Sequence, residues 1–169
     1  MNMKKIWIIL PLVLVSLCMI SCGDDDEGGT REDPVTTADP EGTIVANLLN
    51  NNNDSRIYMW GSYYDGIKMN SANNLATTST GVEIVSVGSV KGLSSITKVP
   101  DTGWSYETAA IPGYGYVVRQ SSRQWDASLN KYVYEYKYVR LYVIDYMEST
   151  SGGIMGCTIK YQIWEPNKK

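Results

Sequence analysis

The sequence predicts an all-β fold, an antiparallel β-sandwich or open barrel of about eight strands that ends in a three-strand meander. From about residue 42, short runs rich in Val, Ile, Tyr and Thr alternate with clusters of Gly, Asn, Asp and Ser, as in strands joined by turns. No ten-residue window has the apolar spacing of an amphipathic helix. β-Branched and aromatic residues, which favour strands, dominate residues 132–146.

The first half of the predicted domain consists of short strands separated by turns. The asparagine-rich segment 50–54 is a turn, because asparagine tolerates positive φ and its side chain bonds the neighbouring backbone. It lacks the D-x-D spacing and the later bidentate Glu of a calcium loop, so we expect no metal there. Residues 91–96 are ambiguous and compatible with a short helical turn. The strands expected here are 43–49, 56–60, 67–70 and 82–87.

The meander is predicted at residues 114–124, 132–146 and 154–164. Period-two alternation places the tyrosines of the middle strand on one face. The opposite face is polar at Glu135 and Lys137 and becomes apolar from Val139 onward. A strand whose face changes character in this way needs a bend, so we predict a bulge or twist near residues 138–140.

The first 21 residues have the pattern of a signal peptide rather than of a membrane span. Lys4 and Lys5 precede an apolar run of about fifteen residues, whereas a bilayer-spanning helix needs about twenty. The run ends in Met-Ile-Ser-Cys, which resembles a bacterial lipobox with Cys22 as the lipidated residue. The sequence therefore predicts attachment to a membrane through a lipid anchor, because two or three acyl chains hold a protein stably.

An acidic run follows Cys22 directly and resembles the export signal of Bacteroidota lipoproteins displayed on the outer surface. The run is Asp24, Asp25, Asp26 and Glu27. Its alternative interpretation is a solvated linker, because like charges repel and keep a chain extended. Residues 22–40 are expected to form an acidic, flexible tether, and residues 41–169 a single all-β domain. The predicted location is the outer membrane, with the domain exposed on the cell surface.

Three further stretches resemble a family of small Bacteroidota lipoproteins that is defined only as a domain of unknown function. They are residues 39–53, a middle stretch made of residues 87–105 (VGSVKGLSSITKVPDTGWS) and 112–119 (PGYGYVVR), and residues 138–162. The resemblance covers about 125 residues, which is essentially the whole predicted domain. It implies a location and a domain extent, and it carries over no catalytic residue and no cofactor.

Composition excludes several kinds of chemistry. The chain contains no histidine, which removes Ser-His-Asp triads, histidine-ligated zinc and imidazole acid–base catalysis. Cys157 lies in an apolar strand pattern and is predicted to be a small core residue. Net charge is −3 without a basic cluster, which argues against nucleic acid as a partner. A glycoside hydrolase would need a pair of carboxylates, for which the candidates are Asp65, Glu83, Asp101, Glu107, Asp126 and Asp145.

Aromatic loops provide a better lead to function, because sugar rings stack their C–H faces on flat aromatic rings. The candidate ligand-binding residues are Trp60, Tyr63, Tyr64, Trp104, Tyr106 and Trp125. Trp104 has an equally good structural interpretation, as a plug at one end of the sandwich core. Tyrosine must also supply core bulk here, because the chain contains no phenylalanine. The tyrosine stripe of residues 132–146 is accordingly interpreted as half-buried sheet surface.

The sequence thus favours a surface-displayed binding module rather than an enzyme, with a glycan as the preferred ligand. A protein–protein accessory subunit of an envelope complex is the main alternative. A carboxylate-based glycoside hydrolase is the third. No cofactor is expected in any of these cases.

Overall fold

Nine strands form two antiparallel sheets within residues 38–60 and 66–166, which are the residues that the computed structural model describes. The predicted all-β sandwich architecture is confirmed. The strands are β1 (Ile44–Leu49), β2 (Ile57–Tyr58), β3 (Gly66–Met69), β4 (Asn74–Thr77), β5 (Val82–Ser89), β6 (Glu107–Ala109), β7 (Tyr114–Asp126), β8 (Lys131–Glu148) and β9 (Ile154–Trp164). Two 3-10 helices, at Asn53–Ser55 and Leu93–Ser95, complete the regular structure of these residues.

The larger sheet has the strand order β1-β9-β8-β7-β5, and the smaller one has the order β2-β3-β4-β6. The predicted meander is confirmed as β7, β8 and β9, with ends that differ by up to two residues from the expected ones. Gly156 permits the close pairing of β9 with β1, because a Cβ added there would clash with the carbonyl oxygen of Leu48.

The main core lies between the two sheets and is built by alternate residues of the strands. On β8, Val139, Leu141 and Val143 face inward and are fully buried. Cys157 is buried in the same core, which confirms its predicted role, and burial raises the pKa of its thiol to about 12. Within the described residues, no helix has the length and apolarity to cross a bilayer.

Tyr116 supplies core bulk in the way expected of a chain without phenylalanine. Its ring is fully buried, and its hydroxyl donates to the carbonyl of Ala109 at 2.7 Å and accepts from the amide of Ile111 at 2.9 Å. Burial, the largest effect, raises the pKa of Tyr116 to about 12. The hydroxyl thereby ties the segment after β6 to the larger sheet.

A second apolar cluster covers the opposite, outer face of the larger sheet. Leu93 and Ile96 from the segment between β5 and β6 pack there against Val117. Arg140 fixes this segment, because its guanidinium donates to the carbonyls of Leu93 at 3.2 Å and Ile96 at 3.0 Å. The short helical turn considered for residues 91–96 is thus present, as the 3-10 helix Leu93–Ser95.

The prediction of a bulge near residues 138–140 is wrong. β8 pairs continuously with β9 there, and the pairing shifts between Val143 and Asp145 and again between Met147 and Glu148. The face changes from polar to apolar for another reason. Glu135 is exposed and Val139 is buried, because only the second lies where the smaller sheet covers the larger one.

Two short strands, β4 and β6, were not predicted, and they pair with each other in the smaller sheet. The turn at residues 50–54 is confirmed. Asn52 accepts a hydrogen bond from the amide of Asp54 at 2.8 Å, and Asn51 has a φ of +54°. Several predicted features lie outside the described residues: the predicted signal peptide (1–21), Cys22, the acidic run of residues 24–27 and all but the last three residues of the predicted tether.

Candidate functional site

The β7–β8 hairpin extends beyond its neighbours in the larger sheet. β7 and β8 pair as far as Asp126 and Lys131, whereas β5 stops opposite Gln120 and β9 stops opposite Tyr138. Residues 122–135 therefore form a two-stranded projection, called the ribbon below, with which no other described strand pairs.

The two faces of the ribbon differ in chemistry. Cross-strand pairing brings Trp125 opposite Tyr132 and Arg123 opposite Tyr134, and all four side chains belong to the outer face. The rings are well exposed, at 63% for Tyr134, 53% for Trp125 and 52% for Tyr132. The inner face carries Ser122, Gln124, Asp126, Lys131, Val133 and Glu135. Every ring of the ribbon thus lies on one face.

Ring and cation contacts order the outer face. Trp125 and Tyr132 meet edge to face with centroids 5.0 Å apart, and the guanidinium carbon of Arg123 lies 3.8 Å from the centroid of Tyr132. Such contacts contribute about 0.5–1 kcal/mol each at exposed positions. They give the ribbon a preferred side-chain arrangement, which an isolated hairpin needs because it is only marginally stable.

At the base of the ribbon, Arg119 connects the outer face to the second apolar cluster. Its guanidinium carbon lies 4.0 Å from the ring centroid of Trp104 and 5.1 Å from that of Tyr136. Glu83 accepts a hydrogen bond from Nε of Arg119 at 2.8 Å and forms an ion pair with it. The charge of Arg119 is therefore compensated within the sheet.

A cleft of about 480 Å³ lies beside the base of the ribbon, where β9 ends. Trp60, Tyr136, Tyr138 and Trp164 line it, and Tyr136 and Tyr138 stack with centroids 6.4 Å apart. The indole nitrogen of Trp60 is buried and finds no hydrogen-bond partner among the described residues. The cleft has the size of a small-ligand site, roughly 300–1,000 Å³. Besides the rings of Tyr136 and Tyr138 from the outer face, it is lined by Lys137 and Ile163, which alternate with them on the inner face.

The structure brings together only part of the predicted set of ligand-binding residues. Trp125 lies on the ribbon and Trp60 in the cleft, but Trp104 packs in the second apolar cluster rather than at an end of the sandwich core. Tyr106 is exposed and borders a separate depression lined by Thr77 and Thr78. The positions of Tyr63 and Tyr64 lie outside the described residues, as does Asp65.

Sequence reasoning missed the exposed tyrosines and Arg123. The interpretation of the stripe as half-buried sheet holds for Tyr138 and Tyr142 but is wrong for Tyr132 and Tyr134, which extend past the neighbouring strands. The sequence did contain a signal for this face. Arg123 and Trp125 are spaced by two residues, as the tyrosines of β8 are, and this spacing places each set on one face of its strand.

The candidate carboxylates have structural partners or lie far apart. Asp126 accepts three hydrogen bonds from Ser128 and Leu129 in the ribbon turn, and the bond from the Ser128 hydroxyl is the main reason that its pKa is lowered. Glu107 accepts from the amide side chain of Asn70 at 3.1 Å. Asp126 and Asp145 belong to opposite ends of the hairpin, about 45 Å apart along β8. Asp101 lies in an exposed loop.

Among the described residues, no group of three His, Cys, Asp or Glu side chains could hold a metal ion. A family model described as a domain of unknown function (DUF5036) matches residues 47–169. No curated protein and no solved structure matches the chain. The matched region includes the ribbon, the cleft and all strands except the first three residues of β1.

Proposed function

The chain belongs to the DUF5036 family of unknown function, and we propose that it is a lipid-anchored module of the outer cell surface that binds glycans on the outer face of the ribbon. The observation that carries this proposal is the segregation of all ribbon rings to one exposed face. Contact across the strands accounts for Trp125 and Tyr132 sharing a side, whereas Tyr134 lies on the same face and remains 63% exposed.

The chemistry of this face suits a sugar chain. Its exposed side chains are tyrosine, tryptophan and arginine, which combine flat apolar rings with hydrogen-bond donors at their rims. The paired residues of this face, from Arg123 to Trp125 and from Tyr132 to Tyr134, include no Leu, Ile, Val or Met, and the exposed Leu129 lies in the turn. A glycan presents weakly apolar ring faces surrounded by hydroxyls. It therefore matches this surface better than an aliphatic patch on a partner protein would.

The cleft extends the proposed binding surface at the base of the ribbon. Residues spaced by two along a strand are about 6.6 Å apart, so Tyr132, Tyr134 and Tyr136 offer successive stacking positions that lead toward it. In the cleft, Trp60 adds a further ring to those of the tyrosines. The surface is thus long enough for several sugar units.

A protein partner is the second candidate, and the open edges of the ribbon favour it. Neither edge of residues 122–135 pairs with another described strand, and an exposed edge can accept an added strand. Trp, Tyr and Arg are also the residues that dominate the binding energy of protein interfaces. This candidate predicts binding through the backbone of the ribbon edge rather than through the rings.

The proposed location follows from the sequence pattern around Cys22. Its predicted acyl chains would hold the protein to the membrane, and the acidic tether would separate the domain from it. A glycan-binding face on a protein displayed in this way would meet polysaccharides outside the cell.

A screen of the full-length protein, purified in detergent, against a polysaccharide array tests the proposal. We expect at least one polysaccharide to bind, and we expect Tyr134→Ala to weaken that binding about fivefold, since stacking on one ring contributes on the order of 1 kcal/mol. The matched control is Tyr106→Ala, which removes a similarly exposed tyrosine at 57% from a strand end outside the ribbon. Equal effects of the two variants, or no binding at all, would contradict the proposal.

A further inference from the structure

Arg123 is the charged residue on the outer face of the ribbon, and its charge is uncompensated there. Its cross-strand neighbour is Tyr134, and the flanking residues of the same face are Ser121 and Trp125. No described carboxylate forms an ion pair with Arg123, in contrast to Arg119 with its partner Glu83. A cation thus lies among neutral rings.

A contact with an aromatic ring orders the guanidinium of Arg123. It lies over the ring of Tyr132, which orders the long side chain. Stacking uses the face of the guanidinium plane, whereas its N–H donors lie in the plane and stay available at its rim. An ordered fork of this kind binds carboxylate or sulfate oxygens at a lower entropic cost than a free arginine does.

Building on the proposed function, we infer that the glycan is anionic and that Arg123 binds its carboxylate or sulfate group while Tyr134 and Trp125 contact sugar rings. The chain as a whole is acidic, with a net charge of −3. General attraction therefore does not bring an anion to this protein, and recognition of the anionic group falls to the local cation.

The test compares three polysaccharides by titration against the full-length protein: polygalacturonate, a sulfated dextran and neutral dextran. We expect an anionic polymer to bind more tightly than the neutral one. Arg123→Gln should weaken that binding about tenfold or more, because the variant loses charge-assisted hydrogen bonds to the anionic group. The two anionic polymers distinguish carboxylate from sulfate as the group that is recognised.

Two variants control for effects on folding and on general charge. Arg56→Gln removes another arginine that lies over an exposed tyrosine, Tyr58, on the smaller sheet, and it should leave binding unchanged. Arg123→Lys keeps the charge but loses the planar fork, so it should restore only part of the affinity. The unfolding midpoint of each variant, measured by circular dichroism, should stay close to that of the wild type.

The outcomes separate this inference from the function on which it rests. Tight binding of neutral dextran or another neutral glycan, unaffected by Arg123→Gln, would overturn the anionic class and leave glycan binding in place. Absence of binding to every polysaccharide would overturn both. Equal competition by polyglutamate would show that charge alone is recognised, which would overturn the assignment of a glycan.

Discussion

At the scale of single residues, the hydroxyl of Tyr116 forms hydrogen bonds with two backbone groups at the edge of the core. We predict that Tyr116→Phe lowers the free energy of unfolding by about 1–3 kcal/mol, because the amide of Ile111 and the carbonyl of Ala109 lose their partner. Urea denaturation measures the change. Tyr134→Phe is the control, since its hydroxyl is exposed, and a comparable loss in that variant would contradict the explanation.

Two buried acids make the stability of the fold sensitive to alkaline pH. Burial raises the pKa of Cys157 from 9.0 to about 12 and that of Tyr116 from 10.0 to about 12. The unfolded chain releases these protons at lower pH than the folded one, so the stabilisation is complete below about pH 9 and is lost toward pH 12. Urea denaturation at pH 8 to 11 should show this decline.

The variant Cys157→Ala separates the thiol from other alkaline effects. It removes one of the two groups, so we expect its unfolding free energy to fall less steeply above pH 9 than that of the wild type. A slope identical to that of the wild type would show that the thiol contributes nothing to the pH dependence.

At the scale of the elements, the ribbon is separate from the core that holds the sheets together. We predict that replacing residues 122–135 with Asn-Gly, which forms a tight hairpin between Ser121 and Tyr136, changes the unfolding free energy by about 1 kcal/mol or less. The same change should abolish polysaccharide binding. Retained binding would place the ligand elsewhere, and an unfolded variant would show that the ribbon is part of the folding unit.

The long strands were predictable from the sequence because each carries an unambiguous local pattern. Tyr132 and Val133 begin an alternation of rings and smaller residues that fixes both the strand and its two faces. β4 and β6 have no such pattern. Asn74 and Glu107 are poor strand formers, and these short strands depend on long-range pairing, β4 with both β3 and β6, and β6 with β4.

Exposure of the tyrosines was not predictable, since it depends on where other strands end. Tyr134 and Tyr142 occupy the same face of β8 and the same alternation. Only Tyr142 has a strand on both sides, β7 through Gly115 and β9 through Lys160. The ends of β5 and β9 are properties of long-range pairing, so the candidate site appeared only with the fold.

At the scale of the whole molecule, the larger sheet is covered on both faces. The smaller sheet packs against its inner face, and the second apolar cluster covers its outer face. Arg140 joins the cluster to the sheet through two backbone carbonyls, and burial lowers its pKa. The ribbon projects from this supported sheet, so a ligand on its outer face would bind to a platform anchored at its base.

The proposed placement on the cell surface depends on Cys22. We predict that Cys22→Ala abolishes labelling with radioactive palmitate and releases the protein from the membrane fraction, since each buried methylene of an acyl chain contributes about 0.8 kcal/mol. The control Cys157→Ala should leave labelling intact because that thiol is buried. Continued labelling of the Cys22 variant would contradict the lipid anchor.

Hydroxyl-radical footprinting with mass spectrometry tests the binding surface most directly. Tyr and Trp side chains react in proportion to their exposure, so the protein with and without a bound polysaccharide can be compared ring by ring. The account predicts protection of Trp125, Tyr132 and Tyr134 in the complex, with Tyr58 and Tyr106 unchanged. Unaltered oxidation of the ribbon rings, with protection at Tyr58 or Tyr106 instead, would contradict it.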